Sequence, residues 1–352
     1  MPATGESLKD IAVRMNREAG EIHRQSAGGQ CKESTLILLG SKDVGKSSLV
    51  HRFLDRDEPA KQTLALEYTF GRKAGRSLVK DVCHIWELGG GTMYPSLLAT
   101  PLAAAGRNLS QVTVVLMLDL SALNQLWFTM ETLLQSILTI LRAHCSQDQM
   151  NSLQELAWAR IGYDNPDKDL MDPFPCSLVI LGGKYDVFQD FDSEKKKIVC
   201  RCLRYVAHTL GASLQFYSVK DAGLVKKAKD LLSHHGFGSA AVKSISQDHN
   251  KPLLIPAGSD SMERIGGVGT SQIISINKGP GAALDRWKHI FTKHFPQEVT
   301  EKSVIPDDPA HDINFKEAII DSLRAQRDDE LDRFRREAES RHKYLSHLEL
   351  DY

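Results

Sequence analysis

The chain has 352 residues and nearly balanced charge, 44 Lys and Arg against 45 Asp and Glu. That length allows one large or two small domains with a substantial core. The balance gives no global field favouring nucleic acid, and no apolar run approaches the ~20 residues that span a bilayer, so membrane insertion is not expected.

Residues 1–30 lack the hydrophobic core of a signal peptide. They read as a flexible segment with one short amphipathic stretch (Leu8, Ile11, Ala12, Met15) and a Gly-Gly end. The six cysteines, Cys31, Cys83, Cys145, Cys176, Cys200 and Cys202, show no CxxC pair or zinc spacing and read as reduced structural thiols of a cytosolic chain.

Thr35–Leu39 is a β-prone apolar run that leads into Gly40-Ser-Lys-Asp-Val-Gly45-Lys46-Ser47, followed by Leu49, Val50, Phe53 and Leu54 at helical spacing. This is a complete G-x-x-x-x-G-K-[ST] phosphate loop between a strand and a helix. Gly40 and Gly45 allow backbone angles and close approach that a Cβ would block. Backbone amides from Asp43 to Ser48, Val44 included, then converge with the helix dipole on a phosphate. Lys46 would reach the β/γ-phosphates, and the Ser47 hydroxyl would ligate Mg²⁺.

The helix is expected to end near Leu54, before the turn Asp55–Pro59. Leu64–Lys73 and Val79–Leu88 alternate and read as an antiparallel hairpin. Val112–Leu120 is nearly continuous in apolar residues, as a strand covered on both faces should be. Leu126–Ala143 carries a helical stripe, with a second helical stretch to Ile161 after a break at Ser146–Asp148. Asp164–Pro175 reads as a linker, and about 145–175 as an insertion. Ser177–Gly182 is a buried strand, Ser193–Leu210 a helix stopped by Gly211, Ala212–Phe216 a short strand, and Ala222–His234 a helix. Residues 238–282, rich in Gly, Ser and Pro, read as a second insertion before the amphipathic Leu284–Phe295. The alternation predicts an α/β fold, a doubly wound and mainly parallel sheet with one crevice at its strand ends.

Four separated segments fall at those ends in the order of a guanine-nucleotide site. After the phosphate loop, Trp86-Glu87-Leu88-Gly89-Gly90 stands where a D-x-x-G holds Mg²⁺ and senses the γ-phosphate. Gly183-Lys184-Tyr185-Asp186 stands where N/T-K-x-D grips guanine through the carboxylate and packs the lysine stem on the base. Ser218-Val219-Lys220 resembles the S-A-K loop over the base. Together they predict a Ras-like G-domain over residues 31–300.

The departures argue against hydrolysis. Glu87 replaces Asp, Gly91 occupies the place of a water-positioning Gln, and Gly183 replaces Asn. Thr63 and Thr69 both remain candidates for the switch threonine. GDP or GTP with Mg²⁺ is the expected ligand of any occupied site, and an empty site stays open.

Leu54–Pro59, Thr63–Arg72, Trp86–Thr92, Asp172–Pro175, Gly183–Phe191, Arg204–His208 and Gly211–Leu214 together resemble the dynein light intermediate chain family, in its cytoplasmic dynein 2 branch. The resemblance implies a non-catalytic subunit that packs on the helical tail of the dynein 2 heavy chain. It further implies a place in retrograde intraflagellar transport, in the cytoplasm, at the ciliary base and along the axoneme. Gly40, Gly45, Lys46 and Ser47 match the family's phosphate loop by position, and Glu87 and Gly91 match its W-E-L-G-G-G. The alternative is a working regulatory GTPase that switches partners. A P-loop ATPase or kinase is disfavoured, since no catalytic base loop or arginine-rich lid is evident.

Asn314–Leu350 is dense in charge with a thin apolar stripe (Phe315, Ile319, Leu323, Leu331, Phe334) and reads as a helical extension, solvated or docked on a partner. Lys195–Lys197 reads as a solvated face. His234-His235 and Cys200/Cys202 lack metal spacing. Tyr185, Phe188 and Phe191 are expected to pack a loop onto the domain.

Overall fold

The computed structural model describes residues 33–74, 80–240, 244–266, 280–298 and 316–348. The chain divides into two units, Met1–Thr300 and Glu301–Tyr352. The expected flexible segment 1–30 and Phe315 lie outside the described residues.

In the first unit, β1 (Glu33–Gly40), β2 (Leu66–Ala74), β3 (Lys80–Leu88), β4 (Val112–Asp119), β5 (Ser177–Gly183), β6 (Ser213–Phe216) and β7 (Leu254–Ile255) form one sheet in the order β2-β3-β1-β4-β5-β6-β7. Pairing is parallel from β3 through β6 and antiparallel at both edges. Every residue of β4 is buried, which explains its nearly continuous apolar run, because helices cover both faces.

The short helices α2 (Ala99–Ala105) and α5 (Tyr185–Phe188) precede β4 and follow β5 in the chain, and alternate β4 residues feed two cores. Val114, Leu116 and Leu118 pack under α3 (Leu123–His144) and α6 (Ser193–Thr209), whereas Val115 and Met117 face the side covered by α1 (Lys46–Phe53) and α7 (Ala222–Phe237). The helix α9 (Pro280–His294) adds Trp287 and Phe291 to the larger core, with Phe291 5.5 Å from Trp127 and Trp287 5.4 Å from Tyr205. Just beyond it, the Gln297 side chain donates to Leu123 O and accepts from Trp127 N, bridging the first turn of α3.

Both expected insertions belong to the domain more closely than their composition suggests. Residues 147–161 form α4 (Gln147–Ile161), started by a capping box between Ser146 and Gln149. The 238–282 stretch supplies the edge strand β7 and the short helix α8 (Met262–Ile265). It is held down by a buried, bidentate pair in which Arg204 Nε and Nη2 meet Asp260 at 2.8 and 2.7 Å. Asp167, in the supposed linker, accepts from His208 Nε2 at 2.9 Å and from the Met262 amide at 2.8 Å. Such long-range partners leave no periodic trace in a sequence.

The second unit contains α10 (Ala318–Leu348), whose Ile319, Leu323, Leu331 and Phe334 are exposed. No helix among the described residues is long and apolar enough to cross a membrane.

Candidate nucleotide site

The phosphate loop leaves β1 where the strand runs beside β4, and the two backbones touch. Gly40 has φ +138°, and a Cβ there would lie 1.8 Å from the Met117 carbonyl oxygen. The Ser41 amide donates to that oxygen at 2.9 Å. Gly45, at φ +99°, starts α1 in a conformation that disfavours a side chain. Among the described residues, no protein acceptor meets the amides of Asp43, Gly45 and Lys46. These are the donors that a phosphate at a helix N-terminus would satisfy, so the loop fits one.

Lys46 is buried and donates to the Ser41 carbonyl at 2.8 Å, folded along the loop. Burial pulls its pKa down, opposed by the carboxylates of Glu87 and Asp43. A cavity of about 240 Å³ opens in front of it, lined by Asp43, Gly45, Lys46, Ser47, Ser48, Thr63, Glu87 and Gly90 among others. The phosphate loop and the Trp86–Gly90 segment thus share one site.

The metal edge of this cavity is already paired within the protein. The Ser47 hydroxyl donates to Glu87 Oε1 at 2.6 Å, and the Thr63 hydroxyl donates to Glu67 Oε2 at 3.0 Å. Both hydroxyls of Mg²⁺-ligating type therefore point into carboxylates. The longer Glu87 side chain reaches the serine directly, where an Asp would hold a metal-bound water at a distance. Burial raises the Glu87 pKa, opposed by Ser47, Lys46 and Thr63. Thr63 is buried and lines the cavity, whereas Thr69 sits on β2, outside that lining, and accepts from Arg56 at 2.8 Å. Gly89 explains the tight fit of this segment, because a Cβ there would lie 2.1 Å from Thr63 O.

The base motifs sit beside the phosphate cavity without lining it. Lys184 pairs with Asp119 at 2.7 Å. Asp186 accepts from Ser218 Oγ at 2.7 Å and from Lys220 at 2.6 Å. Lys220 and then Ser218 hold its carboxyl below the usual carboxylate range. A Cβ on Gly183 would lie 2.5 Å from Val44 Cγ2. The buried Val44 therefore fills the space an Asn side chain would need, and it contacts the base segment from the core rather than from the cavity. Tyr185 and Phe188 are buried against Phe216, so this aromatic cluster packs its loop onto the domain.

The sequence profile of the dynein light intermediate chain family matches residues 19–157. The zebrafish (Danio rerio) cytoplasmic dynein 2 light intermediate chain 1 is 44% identical over 344 residues, covering 95% of this chain and 96% of its own. The chain belongs to the dynein light intermediate chain family. The proteins of the same name from Bos taurus and Homo sapiens are 40% and 39% identical, each covering 98% of this chain and 99% of its own. Within the light intermediate chain family, then, this chain aligns almost end to end with proteins named for dynein 2. The crystal structure of a dynein light intermediate chain's conserved domain superposes with a TM-score of 0.54 at 16% identity, covering 74% of this chain and 98% of that one. That likeness establishes the fold alone.

Proposed function

We propose that this light intermediate chain is a non-catalytic accessory subunit of the cytoplasmic dynein 2 motor, bracing the heavy-chain tail for retrograde intraflagellar transport and cilium assembly. Its place would be the cytoplasm, the ciliary base with its basal body and centrosome, and the axoneme, with the heavy chain, other dynein 2 subunits and the transport machinery as partners. The observation that carries this reading is the near end-to-end alignment, at 39–44% identity, with proteins named for dynein 2. The site's chemistry supports the non-catalytic part: Ser47 and Thr63 each donate to a glutamate, and Gly91 offers no side chain to orient a water. Any GDP or GTP would act as a structural ligand, its phosphates held by the loop amides and Lys46, with Mg²⁺ at Ser47 only if Glu87 gave way. Binding to the folded state alone would stabilise it.

The test is to purify the chain with a heavy-chain tail fragment, release small molecules by denaturation and identify them chromatographically. The expected result is a stable complex that hydrolyses no GTP. With nucleotide bound, Lys46→Ala should empty the site and weaken the complex; with the site empty, it should leave the complex intact. Multiple-turnover hydrolysis with nucleotide-dependent release of the tail would instead establish the regulatory GTPase.

A further inference from the structure

A second cavity, of about 320 Å³, lies on the α7 side of the sheet and shares no lining residue with the phosphate cavity. Ser177 and Ser213, the first residues of β5 and β6, line it, at the end of the strands opposite the phosphate loop. Leu178, Leu231 and Leu254 give it apolar walls.

Its polar groups are unusual. Gln215 on β6 is only 1% exposed, and neither its side-chain nitrogen nor its oxygen has a hydrogen-bond partner. Its neighbours across the sheet are Leu181 and Leu254. An apolar residue there would continue the core, whereas an unpaired buried amide is costly. His235 Nε2 is likewise cut off from solvent and unpartnered. The Nδ1 atom of that ring lies 3.4 Å from both Thr113 Oγ1 and Ser177 Oγ. With Nδ1 accepting from one of these hydroxyls, the neutral ring carries its proton on Nε2. Arg160 also borders the cavity, but its Nη2 donates to the Phe174 and Pro175 carbonyls at 3.2 Å each.

We propose that this cavity binds a small, largely apolar molecule bearing one neutral carboxamide-type group, a C=O beside an N–H, held by Gln215 and His235. These atoms are enclosed in the ligand-free chain, so a ligand meets them only once the Gln215 and His235 side chains turn toward the cavity; the Gln215 amide then offers a donor and an acceptor side by side, and an amide edge complements both. The His235 Nε2–H is then left for a second lone pair of the ligand carbonyl. A carboxylate would satisfy the donors but set a negative oxygen against Gln215 Oε1. The volume suits a substituted ring, since an apolar cavity of about 150 Å³ takes up benzene. The site is independent of the nucleotide crevice and of the dynein assignment.

Benzamide, benzoate and toluene, titrated separately into the methyl-labelled full-length chain, test this by NMR. Benzamide is expected to give saturable shifts at Leu178, Leu231 and Leu254, with benzoate weaker. Gln215→Leu, which replaces the unpaired amide by an apolar group of similar size, should weaken benzamide about tenfold while toluene is unaffected. His235→Phe provides a second variant with a smaller loss in the same direction, should Gln215→Leu not fold. The assignment is overturned if benzamide gives no saturable shift at these leucines. It is equally overturned if benzoate binds more tightly than benzamide, or if both variants bind benzamide like the wild type.

Discussion

The two cavities treat buried polar groups in opposite ways. At the phosphate loop the side chains are paired within the protein: Ser47 with Glu87, Thr63 with Glu67, Lys184 with Asp119, and Asp186 with Ser218 and Lys220. Among the described residues, the backbone amides of Asp43, Gly45 and Lys46 are the groups there that a phosphate would satisfy. In the α7-side cavity it is both polar atoms of the Gln215 side chain, and Nε2 of His235, that lack partners. Phosphate binding rests on backbone geometry, whereas hydrolysis needs particular side chains aimed at metal and water. A fold can therefore retain the first after its side chains have turned to one another.

Three substitutions probe that contrast, the largest effect first. Gly40→Ala drives a Cβ into the Met117 carbonyl at a φ that L-residues rarely adopt. Strain and overpacking together should cost about 4 kcal/mol in chemical denaturation, with the α7-side cavity still formed in the residual folded state. A mild effect would show that the loop is less rigidly seated than its geometry implies.

His235 tests the opposite cavity through pH. Burial, then His234 and Arg160, lowers its pKa from 6.5 to about 4. The folded state thus binds its proton less readily than the unfolded chain, so stability is full above pH 6.5 and falls as the pH drops toward 4. The loss should reach about 3 kcal/mol, read as the difference between wild type and His235→Phe in denaturation midpoints from pH 7 to pH 4. Parallel curves would mean that the ring is hydrated and the cavity wet.

Glu87→Gln should have the smallest effect, and of opposite sign. The Glu87 pKa is raised from 4.5, first by burial, so its ionised form is disfavoured in the fold. The penalty is absent below pH 4.5 and develops as the pH rises through the folded value. The glutamine variant, still able to accept from Ser47, should melt slightly higher than wild type at pH 7.5 and identically at pH 4. A lower melting temperature at pH 7.5 would show that the charge attracts Lys46 strongly enough to outweigh burial.

Much of the molecule was legible before its tertiary structure. The phosphate loop, the hairpin, the buried strand β4 and the helices α3, α6 and α7 each carry a local signature: glycine spacing, alternation, a nearly continuous apolar run or a helical stripe. The departures at Glu87, Gly91 and Gly183 were equally visible, because they stand at fixed offsets in known motifs. What the sequence could not show was pairing between distant residues. Nothing local distinguishes Thr63 from Thr69, and only the fold brings Thr63 against Gly89 and into the lining of the phosphate cavity. The Gly/Ser/Pro-rich stretch after α7 reads as an excursion, yet Asp260 closes on Arg204 and Leu254 joins the sheet. Gln215, one of two polar residues in the four-residue strand β6, becomes meaningful only when Leu181, Leu254 and His235 are placed around it. Local chemistry fixes which elements form, since periodicity and turn preference act within a few residues. Burial and hydrogen-bond satisfaction are set by neighbours far away in the chain, so the tertiary structure alone decides which polar groups are paired and which are left without a protein partner.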